Sequence, residues 1–135
     1  MNKMDQKIYD CIIIGAGPGG LQAAIYLGRY NRNVLIIDRG GGRTSHARYI
    51  ENFLTQRVIS GKEIIEIGLE QARSFGVEIE RAMVTKVLKK KHFEVYVNDR
   101  PYLARFVIVS TGVYDNLPQI ENLYKYFGIS FFTCI

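Results

Sequence analysis

Three glycines near the amino terminus have the spacing of a phosphate-binding turn. Gly15, Gly17 and Gly20 form G-x-G-x-x-G, and Asp38 follows the next apolar stretch. The first glycine of such a turn permits a tight bend, the second lets backbone N–H groups approach a pyrophosphate, and the third lets a helix pack closely on a strand. The acid can accept hydrogen bonds from the hydroxyls of an adenosine ribose. This constellation predicts dinucleotide binding, whereas a glycine turn alone could serve packing only.

The segments around this turn have the patterns needed to position it. Ile8–Ile14 is an apolar, β-branched run closed by glycines, which is typical of a strand buried on both faces. Helical spacing begins at Gly20 and stops at Asn31, and residues 33–38 have the pattern of a second buried strand. Together they predict a βαβ unit with a right-handed crossover. The turn would lie where the first strand meets the helix, with Asp38 at the end of the second strand.

The rest of the chain predicts one more helix and several short strands. After an irregular glycine-rich loop, Ser60 and Glu63 have the spacing of a capping box, and Gly76 has the position of a C-cap. Four β-rich runs follow, separated by turns. These runs predict a small antiparallel meander and then a return strand that ends at residues 110–112.

Composition restricts the class of protein. The chain has 135 residues, 47% of them hydrophobic, and a formal net charge of +5. Its cations are scattered apart from Lys89–Lys91, which we interpret as a solvated turn rather than a nucleic-acid patch. Cys11 and Cys134 are too far apart to suggest a disulfide framework or a metal site, and Cys11 is expected to be buried. No apolar run has the length of a membrane span and no secretory signal is evident, so a cytoplasmic location is expected.

Several sequence blocks resemble the amino-terminal part of the thioredoxin reductase group of flavoproteins, which have two dinucleotide domains. The stretch YDCIIIGAGPGGLQAAIYLGR, with Pro18 inside the glycine turn, is similar to the start of these proteins. Further along, Gly41–Arg43 lies where the group usually has Gly-Gly-Gln, and Ile50–Phe53 resembles its Val-Glu-Asn-Phe. The stretch ISGKEIIEIGLEQARSFGVEI resembles its second helix, and Val107–Gly112 its Ala-Thr-Gly strand end. The resemblance runs along nearly the whole chain.

The resemblance implies FAD as the cofactor and a Rossmann-like, three-layer ββα domain of the α/β class. In that fold a parallel sheet carries helices on one face and an antiparallel β-meander on the other. The pyrophosphate would lie on the glycine turn, the adenosine ribose on Asp38, and the adenine on the backbone of Met83 and Val84. Arg43 and Asn52 would flank the ribityl chain and the flavin. The cofactor-binding residues implied in this way are Gly15, Gly17, Pro18, Gly19, Gly20, Asp38, Arg39, Gly42, Arg43, Asn52, Met83, Val84, Thr111 and Gly112.

Two of these assignments have structural alternatives, and two positions depart from the group. Asn52 could instead cap a turn, and Thr111-Gly112 could simply end a strand. Arg43 replaces the usual glutamine, and Leu54-Thr55 replaces the Pro-Gly that normally follows Glu-Asn-Phe. An arginine at this position can pair with a phosphate, stabilise a reduced flavin or remain solvated. These three possibilities stay open at the level of sequence.

Cys134 stands near the end of the chain, where relatives have a Cys-x-x-Cys pair. The resemblance implies that it is the first, redox-active cysteine of that pair; a lone structural cysteine is the alternative. Residues 1–113 would form the amino-terminal part of the FAD-binding domain, and residues 114–135 the linker toward the NAD(P)H domain. No second G-x-G-x-x-G is present, so NAD(P)H is expected only in a full-length form. The chain is expected to be incomplete relative to the family.

The function implied by the resemblance is electron transfer from NAD(P)H through the flavin to a disulfide. Thioredoxin or another disulfide substrate would be the partner of the full-length form, with a homodimer as a further expectation and no metal, nucleic-acid or membrane partner. Two alternatives remain: a stand-alone FAD or NAD binding module without turnover, and a single-domain NAD-dependent dehydrogenase. A dehydrogenase needs an acid or base near the nicotinamide, and neither His46 nor His92 lies in a motif. We interpret His46 as a surface-loop residue.

Overall fold

A computed structural model of the chain describes residues 7–127 and 129–131. Strands and helices alternate through the first half, and the second half is mainly β. The strands are β1 (Ile8–Ile14), β2 (Val34–Asp38), β3 (Glu78–Arg81), β4 (Val84–Lys89), β5 (Phe93–Val97) and β6 (Arg100–Val109). The helices are α1 (Pro18–Arg29), α2 (Gly61–Ser74) and α3 (Leu123–Tyr126), with a 3₁₀ helix at Arg43–His46.

The six strands form one mixed sheet in the order β3-β2-β1-β6-β5-β4. β3, β2, β1 and β6 run parallel, with Ile14 between Ile37 on one side and Val109 on the other. β4 and β5 run antiparallel, and β5 pairs with the first half of β6. β6 is therefore the predicted return strand and, in addition, the last strand of the antiparallel meander. The first of the four β-rich runs, β3, belongs to the parallel part and lies at the edge of the sheet beside β2.

Two hydrophobic clusters cover opposite faces of the parallel strands. On one face, residues of β1 and β2 pack against α1 and α2; this cluster includes Cys11, Ile13, Val34, Ile36, Leu21, Ala24 and Ala72. On the other face, the intervening residues pack against the meander; this cluster includes Ile12, Leu35, Ile37, Val95, Tyr102 and Ala104. Because strand side chains alternate in direction, β1 and β2 contribute to both clusters. The predicted order of helices, sheet and meander is confirmed.

The helix boundaries follow from local chemistry. α1 begins at Pro18, two residues before the predicted start, because a proline at the first helical position loses no intrahelical hydrogen bond. α2 has the predicted capping box: the Glu63 N–H donates to Ser60 Oγ at 3.2 Å, and the Ser60 N–H donates to Glu63 Oε2 at 2.9 Å. Hydrogen bonds from the Ser60 hydroxyl and then its N–H hold the pKa of Glu63 below its usual value. Gly76 follows the helix with a φ of +77°, as the C-cap prediction requires.

α1 and α2 lie close together because each presents a glycine at a close contact. A Cβ added to Gly28 of α1 would lie 2.9 Å from the Cβ of Phe75, just after α2. A Cβ added to Gly68 of α2 would lie 2.8 Å from Leu21 Cδ1 of α1. The two helices therefore form one layer over the parallel strands. Within the described ranges, no helix has the length and apolar character to cross a membrane.

Candidate functional site

A cleft of about 960 Å³ lies at the carboxyl ends of the parallel strands. Ligands of open α/β sheets bind in this position, and small-molecule sites commonly occupy ~300–1,000 Å³. The glycine turn, the end of β2, the start of β4 and the segment after β6 form its walls, and one face of α2 lies along the side. These segments meet because the ends of β1, β2 and β6 are in register, at Ile14, Ile37 and Val109.

The three motif glycines have different surroundings. Gly15 has a φ of +104°, and a Cβ there would overlap the carbonyl oxygen of Ser110. A Cβ at Gly20 would overlap the carbonyl oxygen of Gly15, so this glycine lets α1 pack on the turn. At Gly17, which lines the cleft, no atom of the described residues other than its chain neighbours lies within 4 Å of the Cβ position. Gly15 and Gly20 thus build the turn, whereas Gly17 keeps its surface open.

The amino end of α1 is an uncapped helix terminus at the cleft. Gly17 is the N-cap, no side chain caps the helix, and the first turn contains no acidic residue. Gly17, Pro18 and Gly19 all line the cleft. Backbone N–H groups in a first turn lack intrahelical partners, and the helix dipole is positive there. A phosphate group fits such a terminus because both effects favour an anion.

Asp38 connects the glycine turn with two strands. Its Oδ1 accepts a hydrogen bond from the Ala16 N–H at 3.1 Å, and its Oδ2 accepts one from Arg81 Nη1 at 3.3 Å. The side chain is 22% exposed and lines the cleft. Each carboxylate oxygen can accept a further hydrogen bond, so both contacts leave Asp38 able to bind hydroxyl groups of a ligand.

An ion pair connects the loop after β2 with the segment after β6. Arg43 Nε lies 3.2 Å from Asp115 Oδ2, and the two side chains are 39% and 25% exposed. Both residues line the cleft. From the sequence, the partner of Arg43 could be a phosphate, a flavin or solvent. Asp115 is not predicted as a partner, because the irregular stretch 113–122 has no recognisable pattern. The pair joins two walls of the cleft that are distant in sequence.

Most of the predicted cofactor-binding residues share this cleft. Its lining includes Gly15, Gly17, Pro18, Gly19, Asp38, Arg39, Gly42, Arg43, Met83, Val84, Thr111 and Gly112. Gly20 is buried behind the turn. Asn52 is exposed in the loop before α2 and is not among the described residues that line the cleft. Cys134 lies outside the described residues.

The cleft also contains residues that the sequence motifs do not predict. One face of α2 contributes Lys62, Ile65, Glu66 and Leu69. Their spacing of three and four residues places them on a single helix face. This spacing can be recognised in the sequence. The segment after β6 and the α3 region contribute Ser110, Val113, Tyr114, Asp115, Leu117, Tyr124 and Phe127. Arg81, at the end of β3, is a further unpredicted member.

His46 and Cys11 have contrasting positions. His46 is exposed, as the sequence predicts, but it lines the cleft, and its ring centroid lies 5.9 Å from that of Phe127 in an edge-to-face arrangement. Cys11 is 4% exposed, as predicted, and burial raises the pKa of its thiol. Within residues 7–127 and 129–131, no group of three His, Cys, Asp or Glu side chains is placed to hold a metal ion.

The charged residues of the cleft favour an anionic ligand. The cations are Arg39, Arg43, Lys62 and Arg81, and the acids are Asp38, Glu66 and Asp115. Two of the acids are already paired with arginines of the same cleft. The four cations outnumber the three acids, and the positive end of the α1 dipole adds to this balance, so the lining favours an anion.

Comparisons with known proteins identify relatives along almost the whole chain. Residues 9–134 match the family described as pyridine nucleotide-disulphide oxidoreductase. The thioredoxin reductase of Bacillus subtilis is 38% identical over 111 residues, which are 80% of this chain and 35% of that protein. The thioredoxin reductase of Helicobacter pylori is 33% identical over 131 residues, which are 93% of this chain and 42% of that protein. The chain thus spans well under half the length of these two relatives.

Solved structures show the same relationship for the fold. The crystal structure of thioredoxin reductase from Streptococcus pyogenes matches with a TM-score of 0.85 at 33% sequence identity, over 90% of this chain and 40% of that one. The thioredoxin reductase of T. acidophilum matches with a TM-score of 0.77 at 31% identity, over 91% and 41% of the two chains. The predicted Rossmann-like fold and the resemblance to thioredoxin reductases are confirmed. This chain belongs to the pyridine nucleotide-disulphide oxidoreductase family.

Proposed function

We propose that this chain is the FAD-binding part of a thioredoxin reductase-like oxidoreductase. The observation that carries the proposal is the glycine turn, in which Gly17 borders open space at the uncapped end of α1 while Asp38 stands at the end of the neighbouring strand. This arrangement provides amides for a pyrophosphate and a carboxylate for a ribose within one cleft. The relatives named above supply the reaction class.

FAD would extend along the residues of the cleft from one end to the other. The N–H groups at the start of α1 would bind the pyrophosphate, Asp38 the adenosine ribose, and the backbone of Met83 and Val84 the adenine. The other half of the cofactor would lie along Gly42, Arg43, Thr111 and Gly112, with Arg39 near the ribose. Asn52 lies outside the cleft lining, and its contact with the flavin stays a prediction from the resemblance.

FAD supplies a two-electron acceptor when it is bound, and the chain supplies position and electrostatics. The cations of the cleft, Arg43 and Lys62 among them, would favour negative charge on the cofactor. The ion pair between Arg43 and Asp115 would hold the segment after β6 beside the site. Water exclusion would come from the apolar face of α2, where Ile65 and Leu69 line the cleft.

The complete reaction is proposed for a longer form of the protein. In that form NAD(P)H would reduce the flavin, and electrons would pass to a disulfide that includes Cys134 and then to thioredoxin or another disulfide substrate. Residues 1–113 would be the first part of the FAD-binding domain, and residues 114–135 would lead to the NAD(P)H domain. A cytoplasmic location and a homodimer belong to the same proposal. The relatives' identity and the greater length of their chains support it.

Titration of the purified chain with FAD tests the proposal. Bound flavin should give absorbance bands near roughly 370 and 450 nm that remain with the protein on gel filtration. Gly17→Val should bind FAD at least about 100-fold more weakly, because its side chain would occupy the space of the pyrophosphate. Its unfolding free energy without FAD should stay within about 1 kcal/mol of the wild type, since no described atom contacts the added side chain at Cβ.

Two results would contradict this function. One is a wild-type chain that does not bind FAD; the other is Gly17→Val with full affinity, which would mean that the turn serves packing only. A parallel titration with NAD addresses the alternatives of an NAD module or a single-domain dehydrogenase. Tighter binding of NAD than of FAD would favour those alternatives.

A further inference from the structure

The register of the sheet places Arg81 at the adenosine end of the cleft. Arg81 is the last residue of β3 and stands opposite Asp38 in the parallel ladder between β2 and β3. The Ala82 N–H donates to the Asp38 carbonyl oxygen at 3.0 Å, which extends the pairing by one residue. The guanidinium group therefore meets the carboxylate, with Nη1 3.3 Å from Oδ2.

The loop after β2 is shaped to let this guanidinium approach. Gly40 has a φ of +78°, and a Cβ at this position would overlap both terminal nitrogens and the Cζ of Arg81. The guanidinium thus lies against the backbone of Gly40, and a side chain there would displace it. The Arg81 side chain is nevertheless 71% exposed and lines the cleft, so one side of the group remains accessible to a ligand.

The position of this arginine decides which nucleotides the site can accept. An acid at the end of the second strand normally binds the ribose 2′-hydroxyl and repels a 2′-phosphate, whereas an arginine nearby accommodates that phosphate. Here both groups are present in one ion pair, and Arg39 follows Asp38 in the chain and also lines the cleft. The negative charge of Asp38 is balanced locally, so its repulsion of a 2′-phosphate is offset.

We infer that Arg81 sets the selectivity of this site at the ribose 2′ position, so that it accepts adenine nucleotides with a 2′-phosphate as well as those with a free 2′-hydroxyl. The inference rests on the proposed function, because it requires an adenosine nucleotide to bind at Asp38. It goes beyond that function by naming a second class of ligand, the 2′-phosphorylated adenine nucleotides, and the residue that admits it.

Calorimetric titration of the chain with AMP and with adenosine 2′,5′-bisphosphate tests this inference, because the two probes differ only in the 2′-phosphate. The wild type should bind them with dissociation constants within about threefold of each other. In Arg81→Ala the affinity for the bisphosphate relative to AMP should fall about tenfold, because Asp38 then faces the phosphate without compensation. In Arg81→Lys, which keeps the positive charge, the ratio should stay within about threefold of the wild type.

Arg32→Ala is the matched control, since it removes the same charge from the loop between α1 and β2, at the opposite end of the strands from Arg81. This variant should leave the ratio unchanged. Arg81→Gln retains a side chain against Gly40 without the charge, so it gives the same comparison if Arg81→Ala fails to fold. It should show the same loss for the bisphosphate.

The possible outcomes separate the inference from the proposed function. Two results would overturn the inference even though AMP binds. One is an unchanged ratio of bisphosphate to AMP affinity in both neutral variants, and the other is a wild type that binds the bisphosphate more than about 30-fold more weakly than AMP. A wild-type chain that binds neither probe would overturn the proposed function and the inference together. A charge-dependent ratio, lost in the neutral variants and kept in Arg81→Lys, would support both.

Discussion

Asp10 and Asp38 lie at opposite ends of the parallel strands in nearly the same local environment. Asp10, near the start of β1, accepts the Asn33 N–H at 3.0 Å and lies 3.5 Å from Arg105 Nη1. Asp38, at the end of β2, accepts a backbone N–H of the glycine turn at 3.1 Å and pairs with an arginine at 3.3 Å. Their side chains are 24% and 22% exposed. A carboxylate, a backbone amide and an arginine are therefore present at both ends.

The difference between the two ends is in the backbone that surrounds the carboxylate. Asp38 lines the cleft, where the parallel strands end and α1 begins at Gly17 to Gly19 without a side-chain cap. Asp10 is not part of that lining and lies at the level where the strands begin. The positive helix end and the open turn favour an anion at one end only. Topology, rather than the side chain or its partners, therefore distinguishes the two carboxylates.

The largest expected effect concerns the turn that creates this difference. In Gly20→Ala the new methyl group would overlap the carbonyl oxygen of Gly15 and crowd the hydroxyl of Ser110, and backbone atoms cannot move away freely. We expect a loss of about 3 kcal/mol in the free energy of unfolding, measured by urea denaturation. Gly17→Ala, at an open position of the same turn, should lose no more than about 1 kcal/mol. Equal losses in the two variants would contradict the division of roles within the motif.

The amino end of the sheet should affect stability without affecting binding. Tyr9 is 6% exposed, and its hydroxyl donates to Glu78 Oε2 at 2.9 Å. Burial first, and then this hydrogen bond, raise the pKa of Tyr9 from 10.0 to about 12. Because the folded pKa is the higher one, the stabilising contribution of neutral Tyr9 is complete below pH 10 and is lost as the pH rises through about 12.

Urea denaturation at about pH 9 and about pH 11 measures this contribution. The loss of unfolding free energy between the two pH values should be smaller in Tyr9→Phe than in the wild type by about 1 kcal/mol. Tyr30→Phe is the control, since Tyr30 is 68% exposed, and it should show the wild-type pH dependence. FAD affinity near neutral pH should be unchanged in both. A wild-type pH dependence in Tyr9→Phe would show that Tyr9 does not carry the effect.

A smaller effect is expected from the ion pair across the cleft. Arg43→Gln, Asp115→Asn and the double variant form a cycle in which FAD affinity is measured by calorimetry. We expect a coupling free energy of about 0.5 kcal/mol, because the pair is partly exposed but joins two walls of the binding site. The corresponding cycle for Arg105 and Asp10, at the other end of the strands, should show no coupling in FAD affinity. Additive effects for Arg43 and Asp115 would mean that their contact has no part in binding.

The parts of the site that could be predicted from the sequence are local in the chain. The glycine turn and Asp38 belong to one βαβ unit, and the patterns of its two strands and its helix are continuous and strongly apolar. Arg81 and Asp115 reach the cleft through contacts between distant segments. Arg81 depends on the register of β3 against β2, which alternation in so short a strand does not fix, and Asp115 follows β6 in a stretch without periodicity.

The three layers of the fold and the strand β6 could be predicted in the same way, but the two sets of neighbours of β6 could not. Tyr102 and Ala104 face the meander cluster, and Val107 faces it again, so the alternation changes phase halfway along the strand. This change coincides with the passage from pairing with β5 to pairing with β1 alone. The sequence predicts this run as one strand but does not indicate that it pairs with β5 in its first half and with β1 along most of its length.

FAD affinity of Asp38→Ala and Asp10→Ala is the measurement that tests the central claim most directly. The two substitutions remove the same side chain from nearly the same set of partners, so each serves as the control for the other. We expect Asp38→Ala to weaken FAD binding by ~1–3 kcal/mol, because a polar contact with the ribose is lost. Asp10→Ala should bind within about twofold of the wild type, which is less than about 0.5 kcal/mol. Equal affinities for the two variants would contradict the assignment of the carboxyl end of the sheet as the dinucleotide site.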